Sequence, residues 1–149
     1  MNKKEEKIIQ TVESLADDII DFTSRLVKEP STLGNEASAV DLMKNELEKL
    51  SFSPVLIPID QSLLSGHPGF ANVPWTYENK NNVVAVRPPD GKGGKSVIFN
   101  GHLDVVDPEP VSFWDTDPFD PVIKGGQLFG RGAGDMKSGV AAMTYAVHA

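Results

Sequence analysis

Cysteine is absent from the 149 residues of this chain. No disulfide can cross-link it, and no thiolate can hold a metal, so any metal site has to rest on His, Asp and Glu. Histidine is scarce, with three residues, so each is considered in turn. Positive charge is in deficit: 14 Lys and Arg against 21 Asp and Glu leave a net charge of -7. That balance argues against a general nucleic-acid or anionic-membrane binder. No stretch approaches the ~20 apolar residues of a membrane span. The start, Met1-Asn2-Lys3-Lys4-Glu5-Glu6-Lys7, is not followed by the apolar region of a secretory signal, and a cytoplasmic location is the expectation.

What is present is a globular composition, 40% hydrophobic and 23% charged, at a length that suits one ordinary domain. Ile8, Val12, Leu15, Ile19, Phe22 and Leu26 recur in steps of four and three, which predicts a helix over residues 5–28, ended by Pro30. A second helix is expected from Asn35 to Leu50, with Ala39, Val40, Met43, Leu47 and Leu50 as its stripe and Asn35 as its N-cap. Val55-Leu56-Ile57 reads as a short strand. Periodicity then lapses from Gln61 to Asn82, a long loop carrying His67, Phe70, Trp75 and Tyr77. Val83–Val86 and Val97–Phe99 are continuous apolar runs, as buried strands tend to be, with a turn over Asp90–Gly94 between them. After a Pro- and acid-rich loop from Asp107 to Pro121, Val122–Lys124 and Gln127–Phe129 flank Gly125-Gly126, a hairpin signal. Ser138–Ala149 reads as a helix. This order predicts an α/β sandwich with a mixed sheet.

Two segments carry chemistry. Asn100-Gly101-His102-Leu103-Asp104 follows an apolar run, and ligands in open α/β sheets bind beyond the carboxyl ends of strands. His102 can offer an imidazole nitrogen to a metal. Asp104, two residues on, points the same way in extended backbone and can orient the imidazole. A chance His-x-Asp pair in a loop is the plain alternative. In Gly130-Arg131-Gly132-Ala133-Gly134-Asp135-Met136-Lys137-Ser138-Gly139, Asp135 stands just before a helix, either as an ordinary N-cap or as a carboxylate shared between metal ions. Two other patterns compete. Gly91–Ser96 lacks the first glycine of a phosphate loop, since Pro89 stands there, and it precedes a strand, so it is rejected. Gly130-x-Gly132-x-Gly134 lacks the third glycine of a dinucleotide fingerprint, and Asp135 would repel a pyrophosphate, which leaves a nucleotide-binding module as a weak alternative. His67 and His148 read as surface or packing residues, and Trp114 and Phe119 as anchors of the loop between the two segments.

Asn100–Val106, Trp114, Asp117-Pro118-Phe119 and Gly130–Gly139, in that order, resemble the M20 family of metallopeptidases and deacylases. Leu26–Ser31 resembles the family too, and His67–Phe70 and Asn81–Val86 are similar to its acetylornithine deacetylase and succinyl-diaminopimelate desuccinylase branch. The resemblance spans nearly the whole chain. It implies a three-layer α/β sandwich with a mixed, mostly parallel sheet, the front half of a zinc-exopeptidase-like catalytic domain. It also implies hydrolysis of an amide, in a small N-acyl amino acid or peptide, by water activated at two zinc ions, with cobalt or manganese as substitutes. On that pattern His102 is a zinc ligand, Asp135 bridges both ions, Asp104 orients His102, and the Asp135–Met136 peptide is cis. The family's paired glutamates, its remaining ligands and its lid or dimerisation domain have no counterpart in residues 1–149, so the expectation is an amino-terminal part, inactive alone. A non-catalytic metal-binding or interaction remnant of the same fold is the alternative, and homo-oligomerisation by strand exchange is a further expectation.

Overall fold

A computed structural model describes residues 2–89, 91 and 93–149. Helices α1 (Lys3–Ser14), α2 (Ala16–Lys28) and α3 (Ala37–Lys49) open the chain. Strand β1 (Val55–Pro58), the short helix α4 (Gln61–Leu64) and strand β2 (Asn81–Val84) come next. A 3-10 turn at Val111–Phe113, strands β3 (Val122–Lys124) and β4 (Gln127–Phe129), a wide turn over Ala133–Lys137 and helix α5 (Ser138–His148) complete it.

The expected single helix over 5–28 is two helices, interrupted at Leu15 (φ -96°, ψ 3°). Burial explains the break. α1 has no buried residue, and its Ile8, Ile9 and Val12 lie exposed. Its start is fixed locally, by a capping box in which Asn2 accepts from the Glu5 amide and Glu5 accepts from the Asn2 amide. α2 is held by packing instead: Phe22, Leu26 and Val27 are fully buried. The expected N-cap Asn35 bonds Thr32 through its side chain and does not cap α3. Glu36 precedes that helix, and its carboxylate accepts from the Gly34 amide and pairs with Lys80, tying the start of α3 to the entry of β2.

β1 and β2 pair antiparallel, Val55 opposite Val84 and Pro58 opposite Asn81, so the long loop with α4 is an insertion within a hairpin. β3 and β4 pair antiparallel around Gly125 (φ 60°) and Gly126 (φ 77°), the left-handed pair that the turn needs. A mostly parallel sheet is not seen among the described residues, where both sheets are two-stranded and antiparallel. Val97–Phe99, expected as a buried strand, is unpaired and exposed, Ile98 to 90%. An apolar run becomes a strand only where a neighbour offers a ladder, and none of the described residues does so here. The turn over Asp90–Gly94 falls partly outside the described residues, which omit Asp90 and Lys92.

The core joins α2, α3 and α5 through Phe22, Leu26, Met43, Leu47, Leu50, Val140, Ala141 and Tyr145. Full burial of a side chain such as Phe22 contributes about 1.5–3 kcal/mol. Within this apolar set sits one carboxylate, Glu46, 2% exposed. The Tyr145 hydroxyl donates to it at 2.6 Å, Arg25 at 2.7 Å and Lys49 at 3.4 Å. Burial alone pushes the Glu46 pKa up, but those hydrogen bonds and the Arg25 and Lys49 charges prevail and hold it below the ordinary value. Burial and Glu46 together push the Tyr145 hydroxyl up. A carboxyl lowered on folding contributes stability above its unfolded pKa, and that contribution is lost as pH falls through the folded value. Glu46→Gln is therefore expected to lose about 1–3 kcal/mol at pH 7, since it weakens a buried charged network. Urea titrations at pH 7 and in steps below 5 should show the variant losing less stability on acidification than the parent. Parallel pH profiles for the two proteins would contradict this.

Candidate metal centre

His102 and Asp135 arrive from segments 33 residues apart, yet His102 Nε2 lies 3.1 Å from Asp135 Oδ1. The segment before His102 passes close to α5. A Cβ on Gly101 would stand 2.9 Å from Met143 Cε and 3.0 Å from Val140 Cγ2, so glycine there permits the approach. On the far side, Val105 is buried and its amide donates to the Ser31 carbonyl at 2.9 Å. His102 is thus presented outward between two fixed points, about half exposed.

Asp135 stands in the Ala133–Lys137 turn, where Asp135 (φ -130°, ψ 100°) and Met136 (φ -130°, ψ 33°) leave helical geometry and the peptide between them is cis. Asp135 makes no cap bond to α5, so the ordinary N-cap reading is not what this carboxylate does. Its side chain is 91% exposed and touches His102. Gly132 opens the turn at φ 78°, and a Cβ there would collide with Val105 Cγ1. The turn therefore lies directly on the His102–Val105 segment.

The imidazole is oriented from behind. Nδ1 is 3.0 Å from the Asp104 backbone carbonyl and 3.5 Å from the Asp104 carboxylate. The carbonyl is the nearer group, so Asp104 reaches the ring first through its main chain. Both ring nitrogens face acceptors, which favours the protonated ring while no cation lies between the two groups. Burial lowers the His102 pKa, but the Asp104 carbonyl and the Asp135 carboxylate outweigh it and raise the net value. A proton at Nε2 occupies the place where a cation would serve both groups. Two ligands at zinc distances of ~2.0–2.2 Å, tetrahedrally disposed, stand about 3.3 Å apart, close to the separation seen. The donor set fits two positions of a His and carboxylate metal site. Among the described residues no group of three or more such side chains converges.

His67 lies elsewhere, its Nδ1 accepting from the Gly69 amide, and His148 packs edge-on against Tyr145 at 6.3 Å. Trp114 fastens the intervening loop: its indole N–H donates to the Pro108 carbonyl at 2.9 Å, and Arg131 stacks on its ring at 4.9 Å. Phe119 is half-buried in the same loop, and Trp75 lies partly exposed on the long insertion.

Two residues around the site have roles that the sequence alone does not assign. Ser31 and Lys137 are both fully buried. The Lys137 ammonium donates to the Glu29 carbonyl at 2.7 Å, at the C-terminal end of α2, and burial pulls its pKa down to about 8. A Ser after proline and a Lys after the Asp-Met pair are the signals, but Lys is rarely buried, and nothing local in the sequence announces its partner.

Residues 98–149 match the model for peptidase family M20/M25/M40. The chain is 33% identical over 129 residues to a succinyl-diaminopimelate desuccinylase of Variovorax paradoxus (strain S110), covering 86% of this chain and 29% of that protein. It is 33% identical over 132 residues to that of Thioalkalivibrio sulfidiphilus (strain HL-EbGR7), covering 89% and 30%. For Acidovorax ebreus (strain TPSY) the values are 35% over 129 residues, 85% and 30%. These matches support an M20 family fragment. It spans about 30% of the length of the curated relatives it matches. The matched segment contains His102, Asp104 and Asp135.

The contact between Gly132 and Val105 is testable. Gly132→Ala adds a Cβ at positive φ, worth about 1–2 kcal/mol, and a collision worth about 1–3 kcal/mol more. Val105→Ala removes the collision partner, so the loss in the double variant should be smaller than the sum of the single losses. Additive losses in urea titrations would show that the two segments do not touch as described.

Proposed function

We propose that this chain forms the metal-binding front part of a metal-dependent amide hydrolase acting on a small N-acyl amino acid or peptide. The observation that carries the reading is the convergence of His102 Nε2 and Asp135 Oδ1 at 3.1 Å with both side chains open to solvent. The succinyl-diaminopimelate desuccinylases among its relatives support a hydrolase that releases an acyl group from an amine. Relatives of that name favour a substrate with an anionic acyl chain.

In this reading His102 and Asp135 hold the metal, zinc first, with cobalt or manganese able to replace it. A divalent ion there supplies Lewis acidity to the amide carbonyl. His102 acts as a neutral ligand through Nε2, because Nδ1–H donates to the Asp104 carbonyl and fixes the tautomer. The Asp104 carboxylate, 3.5 Å from Nδ1, adds negative charge behind the ring and makes Nε2 a stronger donor. Asp135 meets His102 through Oδ1 and leaves its second oxygen free, which suits a carboxylate shared between two ions. The Ala133–Lys137 turn holds that carboxylate outward instead of letting it cap α5. The exposed apolar Val86 and Val97–Phe99 have the composition of buried parallel strands, in keeping with a three-layer sandwich.

Cobalt(II) titration of the chain, followed by its visible absorption, tests the reading. His102→Ala and Asp135→Ala are each expected to remove binding. Asp104→Asn should weaken it by about 10–100-fold, the range typical of a residue that orients a metal-bound imidazole. Binding that survives loss of both His102 and Asp135 would overturn the assignment. Zinc-dependent release of succinate from an N-succinyl amino acid by a longer protein containing this segment, abolished by His102→Ala, would establish the reaction.

A further inference from the structure

The two segments that carry the pair are fastened to one short turn. Ser31 is fully buried, and its hydroxyl donates to the Leu103 carbonyl at 2.6 Å while its own carbonyl accepts from the Val105 amide at 2.9 Å. These two bonds grip the chain on either side of Asp104. Two residues before Ser31, the Glu29 carbonyl accepts the Lys137 ammonium at 2.7 Å. The Lys137 amide donates to the Gly132 carbonyl at 2.9 Å and so closes the turn in which Asp135 stands. The turn between the two anchor points is stiff. Pro30 fixes its φ, and the amides of Ser31 and Thr32 donate to the carbonyls of Glu29 and Pro30, each at 2.8 Å.

A methionine or leucine would fill the space of Lys137 without burying a charge. What the ammonium adds is a directed bond across 108 residues, from the Asp135 turn to the end of α2. We propose that Ser31 and Lys137 are positioning residues: through the Glu29–Ser31 turn they hold the His102 segment and the Asp135 turn at the separation that a shared cation requires. The proposal rests on the reading of His102 and Asp135 as metal ligands. Neither Ser31 nor Lys137 bonds either ligand side chain, so their effect passes entirely through the backbone.

The test uses the whole chain and two readouts. In the metal-free protein, NMR should show a nuclear Overhauser contact between the His102 ring and the Asp135 Hβ protons. Cobalt(II) titration then reads the affinity of the pair. Lys137→Met and Ser31→Ala are each expected to stay folded below their melting midpoints, weaken that contact and raise the cobalt dissociation constant by about tenfold or more. Because both act through one turn, the double variant should raise it by less than the product of the single effects. Folded variants that keep the contact and bind cobalt within about twofold of the parent would overturn the proposal and leave the two residues a purely structural role. So would failure of both single variants to fold. If the contact weakens in the variants while even the parent binds no cobalt, the positioning role stands and the metal-dependent reading of the site fails.

Discussion

The arrangement of the site depends on one buried ion, the Lys137 ammonium at the end of α2. Desolvation works against it and pulls its pKa down. Two features of its position offset that penalty. Its partner is a carbonyl at the C-terminal end of a helix, where the aligned peptide dipoles place negative potential. The Glu29 side chain adds a further negative charge nearby, acting in the same direction. A neutral side chain of the same length would be tolerated by the surrounding volume but would not bind a helix terminus. The result is a direct bond between the end of α2 and the Asp135 turn.

Glu46 is the second buried charge, and it solves a different problem. It sits where α2, α3 and α5 meet, receiving donors from Arg25 on α2, Lys49 on its own helix and Tyr145 on α5. Apolar packing alone tolerates sliding of one helix along another. A carboxylate that must keep three donors does not, because any slip leaves a buried charge short of partners. Lys137 fixes α2 against the turn that opens α5, and Glu46 fixes it against the body of α5. Both contacts bear on α5, the helix against which Gly101 rests.

Helical periodicity made α2 and α3 legible, because their stripes face a real core, and composition marked α5. The same periodicity overran Leu15, since Ile8 and Val12 continue a stripe that meets nothing. Gly125-Gly126 made the β3–β4 hairpin legible from backbone chemistry alone. Val97–Phe99 misled for the opposite reason: composition reports that a segment suits burial, whereas a ladder requires a neighbour that the segment itself does not encode. Asn35 was a reasonable cap by type, but Thr32 competes for its side chain. His102, Asp104 and Asp135 could be singled out as candidates by residue type and by the family resemblance, whereas the approach of His102 to Asp135 across 33 residues is visible only in the fold. Ser31 and Lys137 were not legible, because their partners lie 72 and 108 residues away.

The unpaired state of Val97–Phe99 has a consequence for how His102 is held. In an open α/β sheet a residue just past a strand inherits its position from the ladder behind it. Here no ladder among the described residues leads up to Asn100, and Phe99 is half exposed. The position of His102 must therefore come from its immediate neighbours in the chain and from the helices they touch. Gly101 seats the backbone on Val140, Met136 and Met143, Leu103 packs against the core, and Ser31 takes both the Leu103 carbonyl and the Val105 amide. Each of these contacts leads back to α2 or α5, the two elements that Lys137 and Glu46 lock together. The geometry of the pair is thus a property of the helical side of the molecule, and a sheet added beside Val97–Phe99 would reinforce it without having to create it.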